Sequence, residues 1–233
     1  MYDEYYKRHG ADRNDILANP EVLFQSFAVD RANIAALRST DLDRPTARVL
    51  DVGCGSGSSL IQFVKLGFNP ANLSGIDSDP ARIEIARRTI PLAGFQVADA
   101  SHLPFDSGSF DLVFESTMLG TLDSQSLLES IAQEMIRVAR PGGYVMLADW
   151  RYSREGSGVK TAITPELISR VFGVGTTTEV VTRVRGALAP PLGRRLSRAA
   201  PSLYFLVQAL FPFAAAQVTT VLRKCVSPGF GTD

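Results

Sequence analysis

Three glycines at alternate positions, Gly53, Gly55 and Gly57, follow an apolar run that carries an acid, Val49-Leu50-Asp51-Val52. A glycine has no Cβ, so each one lets the backbone turn sharply or lets a ligand come close to the peptide N–H groups. A helix starting at such a turn leaves its first N–H donors facing whatever binds there. A second acid, Asp77, closes the run Leu73-Ser74-Gly75-Ile76 about 20 residues later, where nucleotide-binding α/β folds place a carboxylate on a ribose. A carboxylate suits that task because its two oxygens accept from two adjacent hydroxyls. Asp79 competes for the role, but Asp79-Pro80 has the residues of a helix start, which favours Asp77. Two more acids, Asp99 and Glu115, lie at the ends of the runs Gly94–Ala100 and Phe110–Glu115, and Asp149 stands near the end of Tyr144–Trp150.

These carboxylates can act together only if their runs are strands that end at one edge of a sheet, the edge where ligands bind in open α/β folds. Leu60, Ile61, Phe63, Val64 and Leu66 recur at helical spacing, so residues 47–66 read as strand, tight turn, helix. Further helices are expected over Ala81–Thr89, Ser124–Ala139 and from Thr164-Pro165-Glu166 to Phe172. Arg140-Pro141-Gly142-Gly143 stops the second of these. Thr177–Val184 and Gln217–Lys224 read as the last two strands, separated by a proline-punctuated helical insert over 185–216. The expected fold is α/β: a Rossmann-like seven-stranded, mostly parallel sheet with helices on both faces, an antiparallel last strand and the insert before it. Residues 1–46 are expected to form a helical lid or cap on a domain spanning 47–233. Within it, Tyr2–Gly10 reads as an aromatic, charged helix whose Tyr5, Tyr6 and His9 could cross the ligand, and Asn19-Pro20 starts a second helix running to about Arg38.

The formal net charge of the 233 residues is zero, so no overall field attracts nucleic acid. Charge is unevenly placed, however: between Glu179 and Asp233 there are seven basic residues and no acid. The two cysteines, Cys54 and Cys225, are far apart in sequence, which points to a reducing compartment. With only two histidines beside them, no metal site is expected. Met1-Tyr2-Asp3-Glu4-Tyr5-Tyr6 lacks the basic-then-apolar pattern of a signal peptide, so a cytoplasmic location is expected. Between Arg198 and Arg223 there is no charge, yet Gln208, Pro212, Gln217, Thr219 and Thr220 interrupt the stretch. Short helices over the substrate side account for it. A sharper reading is an interfacial surface within 190–213, with Leu203, Tyr204, Phe205, Leu206, Leu210, Phe211 and Phe213 beside Arg194, Arg195 and Arg198, touching the inner face of a membrane.

Asp-x-Gly-x-Gly-x-Gly after a strand resembles the first motif of class I S-adenosylmethionine (SAM) dependent methyltransferases. A dinucleotide fingerprint would need its third glycine where Ser58 stands, which disfavours nicotinamide-dependent oxidoreduction. The acids of the next two strands and the run Met135–Gly143 extend the resemblance over 47–150. The resemblance implies SAM as cofactor and S-adenosylhomocysteine (SAH) as product. Asp51, Gly53, Cys54, Gly55 and Gly57 would hold its methionine part, Asp77 and Ser78 the ribose, and Asp99 with the N–H of Ala100 the adenine. Glu115 would close the cofactor site. Methyl transfer to oxygen of a small-molecule or glycan acceptor needs a base, for which Glu115, Asp149 and His9 are candidates. His102 reads as a partly exposed variable position. Asn14-Asp15, Asn19-Pro20-Glu21-Val22, Asp149-Trp150-Arg151-Tyr152 and Pro201-Ser202-Leu203-Tyr204 resemble a bacterial methyltransferase group associated with surface-polysaccharide synthesis, which implies a sugar or lipid-linked glycan acceptor. A small phenol or quinone-like molecule and a protein side chain are the alternative acceptors. A SAM-binding module without turnover, acting at a membrane surface, is the competing function.

Overall fold

A computed structural model describes residues 16, 17, 19–153 and 158–226 of the chain. The run Val49-Leu50-Asp51-Val52 forms β1 (Val49–Val52), buried at all four positions as a central parallel strand must be. β2 (Leu73–Asp77) and β4 (Phe110–Ser116) flank it in parallel, and β3 (Gly94–Val97) lies outside β2. β5 (Ala139–Trp150) continues on the far side, followed by β7 (Gln217–Lys224) and, at the edge, β6 (Thr178–Arg185). The strand order is therefore β3-β2-β1-β4-β5-β7-β6. Only β7 runs against its neighbours, pairing antiparallel with both β5 and β6. The expected architecture is present.

Two apolar layers sandwich the sheet. On one face α1 (Leu23–Leu37), α2 (Ser58–Lys65) and α3 (Pro80–Thr89) bury Ala36, Leu60, Phe63, Ile83 and Ala86 against Val49, Leu112 and Phe114. On the other, α4 (Gln125–Val138) and α5 (Pro165–Val171) bury Leu128, Ile131, Met135 and Ile168 against Leu50, Val113 and Leu147. The insert folds as α6 (Pro190–Ala199) and α7 (Tyr204–Leu210), each followed by a short 3-10 turn. A third small core joins it to α1, with Tyr204 and Leu188 packed against Ala28 and Phe24. Asn33 of α1 accepts from the Thr219 hydroxyl of β7, tying that helix to the sheet as well.

Three boundaries depart from the sequence expectation, each for a local reason. β3 ends at Val97 rather than Ala100, because the Asp99 carboxylate accepts from the Ser101 N–H at 2.8 Å and turns the chain. β5 begins at Ala139, which pairs with Phe110 across a register shift, so Arg140–Gly143 is an irregular extension of the strand rather than a linker. The segment Pro20–Val22 is a 3-10 turn that leads into α1 instead of its first α-helical turn. Tyr204, expected on an interfacial surface, is fully buried, and its hydroxyl accepts from the Leu188 N–H.

Candidate functional site

The glycine turn is built as its spacing requires. Gly53, Gly55 and Gly57 all have positive φ, 74°, 53° and 83°, a region that favours glycine. At Gly53 there is also no space: an added Cβ would lie 2.5 Å from Met118 Cγ. The turn spends most of its own donors internally. Gly53 and Cys54 both donate to the Ile76 carbonyl, Gly57 donates to Cys54, and Gly55 donates to Asp77 Oδ2 at 2.9 Å. Fewer amides are therefore left to face a ligand than the sequence led one to expect. Cys54 turns its buried thiol toward β2, where a Cβ on Gly75 would sit 2.8 Å from Sγ. Burial, and then the nearby Asp51 and Asp77, push the thiol well above its ordinary range, which disfavours the thiolate that a nucleophile needs.

Asp51 and Asp77 stand together at the ends of β1 and β2. Asp51 is 1% exposed, and its Oδ2 has no hydrogen-bond partner among the described residues. Burial, reinforced by the charge of Asp77, pushes its carboxyl up to about 8. Among the described residues no counter-charge stands beside it. Asp77 is half-buried; its Oδ1 accepts from the Asp79 N–H and its Oδ2 from Gly55, which leaves acceptor capacity on each oxygen. Ser78 beside it is exposed, and Asp79 caps α3, as its place before Pro80 anticipates. Asp99 is exposed at the end of β3, its carboxyl held below the usual range by the Ser101 N–H and hydroxyl. Ala100 follows, half-buried against the α4 side of the sheet.

Glu115 and Asp149 form a separate pair on the α4 side. Glu115 Oε2 accepts from the N–H groups of Met118 and Leu119, and Asp149 accepts from Gly120 at 2.7 Å and Trp150 at 2.6 Å. Together they hold the turn 117–120. That turn contains Thr117 at φ 61°, a β-branched residue in the left-handed region, which costs about 1–3 kcal/mol and persists only where its surroundings fix it. Both carboxyls are buried, at 0% and 2% exposure. Burial first, and the neighbouring Asp149 second, raise Glu115 well above the usual carboxylate range. Burial raises Asp149 to about 7, opposed by its hydrogen bonds from Trp150, Gly120 and Glu115. Among the described residues Glu115 Oε1 has no hydrogen-bond partner, and the two carboxyls titrate as a pair rather than independently.

The structure thus brings Asp51, the glycines and Asp77 into one cluster and Glu115 with Asp149 into another, both at the C-terminal edge of the parallel strands. His9, Tyr5 and Tyr6 lie outside the described residues. Sequence reasoning missed Met118, which presses on the turn, and Gly120, where a Cβ would meet Asp149 Oδ1 at 2.6 Å. A cavity of about 310 Å³ opens beside Asp149, lined by Leu147, Ile163, Ile168, Arg151, Arg183 and Arg185 among others. A larger one of about 500 Å³ lies at the opposite end of the sheet around Tyr144 and Arg223, away from the carboxylates. The chemistry, not the volume, selects the first. Among the described residues no group of His, Cys, Asp and Glu could hold a metal ion.

Residues 49–143 match the family described as methyltransferase domain. Among curated proteins, the phthiotriol/phenolphthiotriol dimycocerosates methyltransferase of Mycobacterium leprae is 30% identical over 125 residues, covering 53% of this chain and 45% of that protein. The 2-methyl-6-phytyl-1,4-hydroquinone methyltransferase of Synechocystis sp. is 38% identical over 110 residues, covering 46% of this chain and 33% of that protein. The chain spans less than half the length of these relatives. Among solved structures, geranyl diphosphate C-methyltransferase from Streptomyces coelicolor A3(2), in complex with Mg2+, geranyl diphosphate and SAH, shares the fold with a TM-score of 0.61. It is 16% identical, over 83% of this chain and 76% of that one.

Proposed function

We propose that this chain, whose residues 49–143 match a methyltransferase domain, belongs to the class I SAM-dependent methyltransferases and transfers the methyl group of SAM to a hydroxyl of a small-molecule or lipid-linked acceptor. The observation that carries the reading is the unpartnered Oδ2 of buried Asp51 beside three positive-φ glycines. That arrangement fits the α-ammonium of SAM, a cation that would supply the missing counter-charge. Asp77 would accept from the ribose hydroxyls with the lone pairs it has left, and Asp99 with the Ala100 N–H would meet the adenine. When bound, SAM supplies an activated methyl group and leaves as SAH. The residues of the chain contribute orientation and proton removal.

Asp149 is the proposed base. It borders the cavity in which an acceptor hydroxyl would sit, and a carboxyl near 7 is matched to proton removal at neutral pH. With SAM held by Asp51, Asp77 and Asp99 and supplying the methyl group, Asp149 would take the proton of the acceptor hydroxyl. Glu115 positions Asp149 and the turn 117–120. The matched relatives are named for phthiotriol/phenolphthiotriol dimycocerosates and for 2-methyl-6-phytyl-1,4-hydroquinone, which supports an apolar acceptor with a hydroxyl over a soluble polysaccharide. The test is calorimetric titration with SAM, SAH and NAD. Micromolar binding of the two sulfur compounds, weakened at least tenfold in Asp77→Ala, is expected, with no NAD binding; a folded protein that binds neither sulfur compound would overturn the reading.

A membrane contact is a second proposal, carried by the insert. Leu203, Leu206, Leu210, Phe211 and Phe213 are between 45% and 68% exposed, and Arg195 and Arg198 of α6 are exposed beside them. Among the described residues no helix is long and apolar enough to cross a membrane. An apolar face rimmed by arginines suits the surface of an anionic bilayer, where each basic residue adds about 1 kcal/mol. Co-sedimentation with vesicles containing phosphatidylglycerol is expected to disappear in Leu206→Asp/Leu210→Asp and to weaken roughly tenfold or more in Arg195→Ala/Arg198→Ala. Wild-type protein that stays in the supernatant would refute the contact while leaving the transfer reaction intact.

A further inference from the structure

The cavity beside Asp149 is lined by a set of charges that the reaction does not use. Strand periodicity puts Leu147 and Asp149 of β5 on one face of the sheet, and Arg151, just past the end of the strand, lines the same cavity. β7 carries that face outward, with Val218 opposite Asp149 and Thr220 opposite Leu147. In turn, β6 sets Arg185 opposite Val218 and Arg183 opposite Thr220. Two rows therefore cross the sheet, Asp149–Val218–Arg185 and Leu147–Thr220–Arg183, with their ends roughly 10 Å apart at two strand spacings. Ile163 and Ile168 close the cavity from the α5 side.

Its walls divide by chemistry. Leu147, Val218, Ile163 and Ile168 are apolar, whereas Arg151, Arg183 and Arg185 supply three guanidinium groups. Arg183 and Arg185 are exposed on the edge strand, and no ion pair engages either among the described residues. Glu166, next to the lining Pro165, feels Arg183 through space. Arg151 is anchored by donation from one terminal nitrogen to the Phe213 carbonyl and the Tyr152 hydroxyl, at 2.8 Å each. Its Nε is buried with no partner among the described residues. A buried N–H on a guanidinium without an acceptor costs free energy that an anionic ligand would return.

We propose that Arg151, Arg183 and Arg185 bind the phosphate group of an acceptor whose apolar portion lies on Leu147, Ile163, Ile168 and Val218. The inference rests on the methyl-transfer reading and deepens it: phosphate held by the arginines would place a nearby hydroxyl of the same molecule against Asp149. Guanidinium forks match phosphate oxygens in pairs, and the apolar wall makes a tail-bearing phosphate a better occupant than a sugar phosphate.

The test is calorimetric titration of the full chain, saturated with SAH, using inorganic phosphate, glucose 1-phosphate and octyl phosphate below its micelle concentration. Octyl phosphate is expected to bind at least tenfold more tightly than the other two. Arg183→Ala/Arg185→Ala should weaken it at least tenfold while leaving SAH binding within twofold of wild type. Absence of octyl phosphate binding to wild-type protein that holds SAH would overturn the proposal, and so would binding that the double variant leaves unchanged. Equal binding of all three phosphates would overturn the apolar-tailed occupant. A wild-type protein that fails to bind SAH would instead strike the cofactor reading, so the two failures are distinguishable.

Discussion

Replacing Asp51 by Asn is expected to weaken SAH binding about ten- to a hundredfold while making the ligand-free protein more stable at pH 8. Both effects come from one carboxyl. Folding takes Asp51 from an ordinary value of 3.8 to about 8 because it is buried, and next because the charge of Asp77 lies nearby. Between those values the folded state binds the proton and the unfolded state does not. Stability therefore falls as pH rises through that window, by up to about 1.4 kcal/mol per pH unit from this group. Asn has the same shape and no charge to desolvate, so the variant escapes the loss, and its melting temperature should exceed that of wild type at pH 8 but not at pH 4. Glu115 and Asp149 are raised as well, so some pH dependence should persist. With the cofactor's ammonium in place the same carboxylate becomes one half of an ion pair, and charged hydrogen bonds of this kind contribute about 1.5–3 kcal/mol. Binding at pH 7 should also release close to one proton from wild type and none from Asp51→Asn, read as a dependence of the calorimetric heat on buffer ionisation enthalpy. A variant that binds SAH as tightly as wild type would refute the placement.

The glycine turn, the two acids after it and most of the strands and helices were legible because each depends on local signals. Positive-φ glycines, Asp79-Pro80 before α3 and short apolar runs depend little on distant residues. What escaped reading depends on register and on contacts far along the chain. Arg183 and Arg185 sit across two strands from Leu147 and Asp149 only because β7 pairs with β5 and β6 in one particular alignment. Sequence alone does not fix that alignment after an insert of such length. Tyr204 lies in an apolar run without a clean helical period, so nothing distinguished it from its exposed neighbours Leu203 and Leu206; its burial comes from contact with α1. Glu115 and Asp149 were recognised as acids at strand ends, but their pairing required the turn 117–120 to fold between them.

Asp149→Asn and Glu115→Gln should differ sharply although the two carboxyls touch. Burial and its neighbour raise Glu115 well above the usual carboxylate range, and Gln is the uncharged stand-in for its protonated form. The amide can donate to Asp149 and its oxygen can accept from Met118 and Leu119, so kcat should stay within a few-fold of wild type. Asn at 149 cannot take a proton. Loss of a positioned base costs about 10²–10⁴ in rate, and the expected fall in kcat lies in that range. SAH affinity should remain within about threefold, because Asp149 belongs to the pair on the α4 side and not to the glycine turn. The pH profile separates a base from a strut. Asp149 must be ionised to act, so wild-type kcat should rise about tenfold per unit below pH 7 and level off above it, the turning point set by a carboxyl near 7. Glu115→Gln should keep that limb. In Asp149→Asn the limb should vanish from the residual rate. Equal losses in the two variants, or a slow Asp149→Asn enzyme with an unaltered pH limb, would make the pair a support for the turn 117–120 and move the search for the base elsewhere.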